Sequence, residues 1–115
     1  MVTTRTFARL DTRALARFFR VLGDPTRLRI IELLGDGPLT VSELVERLDL
    51  PRSRVSNHLA CLKHCRFVDA SPQGRAVRYE LVDDGMQELL GAAWQVAGRR
   101  AAYLASCDRI GPDWL

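Results

Sequence analysis

Three features of the sequence predict a mainly α-helical fold with one small β-hairpin. Apolar residues recur at helical spacing in five stretches, two of those stretches are short and nearly touch, and between the last two the apolar period drops to two around a Pro72-Gln73-Gly74-Arg75 turn. Helix, helix, a helix pair joined by a brief turn, hairpin, helix is the order of a winged helix-turn-helix. At 115 residues, with 47% of them apolar, the chain is long enough for one core and too short for two ordinary domains. Residues 1–115 are therefore expected to form a single domain.

Asp11 or Thr12 can cap a first helix running to about Leu22, with Leu15, Phe18, Phe19 and Leu22 forming an i, i+3, i+4, i+7 stripe. Gly23 ends it. Asp24 caps a second helix with Pro25 at its first position, and Leu28, Ile31 and Leu34 are expected on its buried side, up to the break at Gly35-Asp36-Gly37-Pro38. Thr40-Val41-Ser42-Glu43 has capping-box spacing and opens a short third helix. Only Asp49 and Leu50 separate that helix from Pro51, where the recognition helix begins, spanning about 51–65. The wing, about 67–82, consists of two strands over 67–71 and 76–82. Asp83 or Asp84 can cap a last long helix over about 83–106, whose small residues Gly91, Ala92, Ala93, Ala97 and Gly98 permit close helix approach.

The recognition helix organises the rest. Val55, Leu59 and Leu62 recur at i, i+4 and i+7 and supply its core stripe. Ser53, Ser56, Asn57, Ala60 and Lys63 fall on the other side, small or polar and fit to enter a major groove. Small polar residues are also ordinary on a solvated helix. The wing arginines shift the reading toward DNA: Ser53, Ser56 and Asn57 would reach base edges or nearby phosphates, while Arg52, Lys63, Arg75 and Arg78 would mainly contact phosphate.

Cys61 and Cys65 lie one turn apart on the flank between stripe and polar face, beside Arg54 and His58. Free cysteine also serves as a small core hydrophobe, but these two flank the stripe instead of filling it. Two thiolates one turn apart can share a soft ion, yet one helix cannot close its coordination shell, and Cys107 beyond the last helix is a third thiol. Three thiolates suit Cd(II), Pb(II) or Hg(II) better than Ni(II) or Co(II), whereas structural zinc usually takes four ligands. His58 is more often a packing or phosphate-contacting residue than a fourth ligand. A thiol redox switch at Cys61 or Cys65 is the rival chemistry, although Cys at i and i+4 on an intact helix point apart for a disulfide.

Composition excludes other classes. No G-x-G-x-x-G, P-loop or Ser/His/Asp arrangement suggests an enzyme, and no organic cofactor is expected. No apolar run is long enough to span a bilayer, and the first residues lack the apolar block of a secretory signal, so a cytoplasmic protein is expected. Three cysteines, an odd number, make reduced thiols the default. Net charge is a mild +3, and of 17 basic residues only Lys63 is lysine, a bias that suits phosphate contacts and equally fits a GC-rich genome.

The wording of three blocks is more specific than the fold. LGDPTRLRIIELL at 22–34, SRVSNHLACLKHCRFVDA at 53–70 and GRAVRYELV at 74–82 resemble the ArsR/SmtB family of bacterial metal-responsive repressors. The resemblance implies a homodimer built by the first and last helices, which binds double-stranded operator DNA without metal and releases it when metal arrives. Metal sites differ among family members. Residues 41–48 contain no cysteine and 83–106 no histidine, so the thiolate pair before the recognition helix and the zinc-type site on the last helix have no counterparts. Cys61 and Cys65 are similar to the cadmium/lead-sensing, CmtR-type branch. The resemblance then implies that Cys107, from the other subunit, supplies the third thiolate.

Overall fold

The computed structural model describes residues 11–109, in the order α1 (Thr12–Leu22), α2 (Pro25–Leu34), β1 (Leu39–Thr40), α3 (Val41–Leu48), α4 (Arg52–His64), β2 (Val68–Gln73), β3 (Ala76–Leu81), α5 (Gly85–Gly98) and α6 (Ala101–Ala105). The helix starts follow local chemistry. Asp11 accepts a hydrogen bond from the Ala14 backbone N–H, and Asp24 accepts from Thr26 and Arg27 with Pro25 following, so the first amides of α1 and α2 are satisfied by side chains. At α3 the Thr40 hydroxyl accepts from the Glu43 N–H while the Glu43 carboxylate accepts from the Thr40 N–H, a closed capping box.

The turn between α3 and α4 passes through Asp49, whose φ of 54° lies in the left-handed region that Asp tolerates better than most side chains. α4 ends with Arg66 also left-handed, and the Phe67 N–H donates back to the Leu62 carbonyl at 2.8 Å, closing a Schellman motif. This turn carries Phe67 inward, where its ring stacks on Phe18 of α1 with centroids 5.1 Å apart. Val55, Leu59 and Leu62 of α4 are fully buried, as their spacing predicts, against Ile30, Ile31, Leu44 and Val68. That burial fixes α4 on the core and turns its other side outward.

Several expectations need correction. The hairpin is part of a three-stranded antiparallel sheet in the order β1-β3-β2, with Leu39 paired to Tyr79 and Thr40 to Arg78. A two-residue strand has no alternation to detect, so β1 escapes a periodicity reading. The wing turn is tighter than residues 72–75: Gln73 pairs with Ala76, leaving Gly74, at φ 62°, and Arg75 as the loop. Pro72 sits inside the ladder, tolerated because β2 is an edge strand.

The buried side of α2 is Ile30, Ile31, Leu33 and Leu34, with Leu28 only half-buried. The reason is tertiary: α2 packs against α1, α3, α4 and β3, so it buries a broad surface instead of one stripe. The single long helix expected over 83–106 is two helices, broken at Arg99 and Arg100, where Arg100 adopts φ −122° just after the weak helix former Gly98. Of the two candidate caps for α5, Asp84 makes no side-chain capping bond and is itself helical, whereas the Asp83 carboxylate accepts from the Gly85 N–H at 2.7 Å and satisfies a first-turn amide.

Candidate metal and operator surfaces

Ser53, Ser56, Asn57, Ala60 and Lys63 are all exposed on α4, opposite its buried stripe. Arg75 at the wing tip and Arg78 on β3 are exposed as well. Arg78 stands between Ser71 and Thr40 in the sheet register, so the wing and the start of α3 share one edge. Arg52 has an internal partner that its spacing does not foretell. Its guanidinium donates to the Ser42 hydroxyl at 2.7 Å, tying the first turn of α4 to the first turn of α3. Arg52 therefore braces the two helices, and Ser42 joins the site as a residue missed from sequence; the only prior signal was its place at the start of the short helix.

Cys61 is half-buried and Cys65, the residue that ends α4, is exposed. They stand one helical turn apart on the same flank of α4. The residual burial of Cys65 and the neighbouring Cys61 raise the Cys65 thiol above its ordinary range, against the pull of Arg27 and Arg17. Both are free thiols, as is Cys107. Cys107 lies just past α6 in an open hollow with Arg99, Arg100 and Tyr103. Among the described residues of one chain, no three His, Cys, Asp or Glu side chains gather as a metal site. The structure thus keeps Cys61 and Cys65 one turn apart at the end of α4 and does not bring Cys107 of the same chain to them.

His58, on α4 a little under one turn before Cys61, is half-buried and faces Asp24 at the start of α2. Burial works to raise the Asp24 carboxyl, but the Arg27 amide, the charge of His58, the charge of Arg27 and the Thr26 amide outweigh it and hold the group below the usual carboxylate range. His64 is exposed to solvent.

The outer helices are less covered. Leu15 and Phe19 of α1 are 45% and 49% exposed, and Trp94 and Val96 of α5 are 59% and 48% exposed. Phe19, Leu28, Leu89 and Trp94 border an apolar groove of about 240 Å³ between α1, α2 and α5. Two polar bonds seat α5 on α2: the Trp94 indole N–H donates to Glu32 at 2.8 Å, and the Gln87 amide donates to the Gly35 carbonyl. A Cβ at position 35 would meet the Gln87 amide at 2.8 Å, so a larger residue there would have to displace this bond. Among the described residues no helix is long and apolar enough to cross a membrane.

With this geometry in place, comparison with known proteins gives a consistent picture. The family described as "Bacterial regulatory protein, arsR family" matches residues 24–70, from the cap of α2 to the first wing strand. A probable mercury resistance operon repressor of Streptomyces lividans is 41% identical over 95 residues, covering 83% of this chain and 76% of that protein. The transcriptional regulator CmtR of Mycobacterium tuberculosis is 49% identical over 83 residues, covering 72% of this chain and 70% of that one. The NMR structure of that cadmium sensor superposes with a TM-score of 0.62 at 48% identity, covering 72% of this chain and 86% of that chain.

Proposed function

This chain belongs to the ArsR family of bacterial regulatory proteins, and on that premise we propose that it holds operator DNA as a metal-free dimer and releases it when a soft, thiophilic ion binds Cys61 and Cys65. It is a DNA-binding transcriptional repressor of the metal-sensing type and not an enzyme. The observation that carries the proposal is the placement of two thiols, one turn apart, on the same helix as the exposed Ser53, Ser56 and Asn57. Sensor and reader are mechanically continuous.

The donor set fits a soft ion. Two thiolates from α4 favour Cd(II), Pb(II) or Hg(II) over harder ions, and an ion held by only two ligands needs completion from elsewhere. Cys107 of a second subunit is the candidate third donor. The dimer is supported by the exposed apolar residues of α1 and α5, which a second copy would cover. Because the Cys65 thiol is raised, the ion must displace protons, so apparent metal affinity should fall as pH is lowered.

On the DNA side, Ser53, Ser56 and Asn57 read base edges or nearby phosphates, Lys63, Arg75 and Arg78 hold phosphate, and Arg52 does so while bracing α3. Drawing Cys61 and Cys65 toward a third thiolate tilts α4 and changes the spacing of the paired recognition helices. Linkage requires metal and DNA to weaken each other equally, and a coupling of about 1–3 kcal/mol corresponds to roughly 5–150-fold in affinity. A cytoplasmic location follows from this role.

The test is a gel-shift on the protein's own promoter with and without Cd(II). Cys61→Ser and Cys65→Ser are expected to bind operator as the parent does and to lose the metal response, with Cys107→Ser losing it wholly or in part. If the first two variants still release DNA at parental Cd(II) concentrations, the sensor is not on α4. Release by peroxide and not by metal would replace the metal reading with a thiol redox switch.

A further inference from the structure

The Cys65 thiol opens onto a cleft of about 700 Å³ between α1 and the end of α4, bordered by Arg17, Arg20 and Arg27, with Phe18 and Phe67 as its apolar floor. Among the described residues bordering it there are three arginines and no carboxylate. Resting on the metal-sensing reading above, we propose that this cleft is a docking site for the ion's carrier: a complex of the soft metal with a small, carboxylate-bearing thiol, which delivers the ion to Cys65 by ligand exchange.

Soft ions in a thiol-containing medium are held as thiolate complexes, and a carboxylate on each carrier makes the complex an anion. Guanidinium groups match carboxylates in shape and charge. The three are not equivalent here. Arg27 is committed to the fold, its Nε donating to the Val21 carbonyl at 2.7 Å and its Nη2 to the Arg20 carbonyl at 3.4 Å, which closes the end of α1. The side chains of Arg17 and Arg20 are exposed and form no hydrogen bond or ion pair to a side chain among the described residues. They are the groups free to receive a carrier.

The cleft side of α1 is not the side that carries Phe19. At about 100° per residue, Ala14, Arg17, Phe18 and Val21 share one side of α1, and the exposed Phe19 lies about 100° or more around the helix from each of them. Phe18 stacked on Phe67 holds the basic side of α1 over the last turn of α4, so the charge sits beside the thiol that must react.

The exchange balances without any redox change. Cys65 forms a sulfur–metal bond as one carrier thiolate leaves, the Cys65 proton passes to the departing thiolate, and the ion remains divalent. Cys61, one turn before Cys65 on α4, repeats the step and frees the second carrier.

The experiment presents Cd(II) to the reduced full chain as its bis-complex with 3-mercaptopropionate, which is anionic, or with 2-mercaptoethanol, which is neutral. Transfer is followed by stopped-flow ultraviolet absorption of the sulfur-to-metal band and by counting protein-bound cadmium after rapid desalting. At low salt the anionic complex is expected to transfer on the order of tenfold faster, the lower end of electrostatic steering, and added salt should erase the advantage. The double variant Arg17→Gln/Arg20→Gln should lose the difference between complexes while reaching the same final occupancy. Equal rates for both complexes in the parent, or a preference that survives in the double variant, would overturn the docking site. If instead Cys61→Ser and Cys65→Ser take up Cd(II) as tightly as the parent, the metal reading itself has failed, a distinguishable result.

Discussion

Leu59 on α4 and Phe19 on α1 are both large apolar residues set in a helical stripe, yet Leu59 is 0% exposed and Phe19 is 49% exposed. The same contrast separates two regions. The inner region, α2 to α4 with the sheet, buries Ile30, Ile31, Leu44, Val55, Leu59, Leu62 and Val68 completely within one chain. The outer region, α1 with α5, leaves Leu15, Trp94 and Val96 at 45% exposure or more, and of its residues only Leu22 and Met86 enter the buried core. An amphipathic stripe therefore marks a surface that will be covered, without saying by which chain. The inner helices are covered by their own neighbours; the outer ones present the surface that the proposed dimer requires.

The largest effect should come from breaking the inner region. Leu59→Ala removes a fully buried side chain and should cost about 2–5 kcal/mol, enough to abolish most of a small domain's stability, read as a fall in the urea midpoint. The equivalent change in the outer region should act on assembly instead. Phe19→Asp should leave the helical circular dichroism intact and weaken dimerisation by about 1.5–3 kcal/mol, the value of burying one large apolar side chain, or roughly tenfold to a hundredfold in dissociation constant by sedimentation. If Phe19→Asp unfolded the chain as Leu59→Ala does, the division into two regions would be wrong.

A smaller effect tests the joint between the regions, where Asp24 caps α2 and faces His58. Asp24→Ala should cost about 1 kcal/mol, the usual value of an N-cap. Since the folded carboxyl sits below its ordinary value, its stabilising contribution is present above the unfolded-state value and is lost as pH falls through the folded one. Parent and variant should thus converge in thermal stability in acid below the ordinary carboxylate range; a gap that persists there would sever the cap from the titration.

The smallest effect belongs to the wing. Arg75→Ala touches neither region's packing, so stability should change by less than about 0.5 kcal/mol. Operator affinity should fall for all sequences alike, with the slope of log affinity against log salt reduced by about 1 per subunit, measured by fluorescence anisotropy. Asn57→Ala, by contrast, should relax base preference with little change in that slope.

What the sequence determined by itself is what neighbouring residues decide. The caps at Asp11 and Asp24, the Thr40–Glu43 box, the α4 stripe and the one-turn spacing of Cys61 and Cys65 all involve residues within a turn or two of one another, and each is legible from spacing and side-chain chemistry alone. The proposed metal ligands and DNA-facing residues could be nominated for the same reason, since α4 carries most of them in one continuous stretch. Only the tertiary structure decided the rest. The strand β1 exists because β3 is there to pair with it, and Ile30 and Leu33 are buried because α2 has neighbours on several sides. Arg52 meets Ser42, and Phe18 meets Phe67, across helices that no local pattern places together. The basic cleft over Cys65 is the same kind of feature: its arginines come from α1 and α2 and its thiol from the end of α4, and their nearness depends on how three helices pack around a shared core.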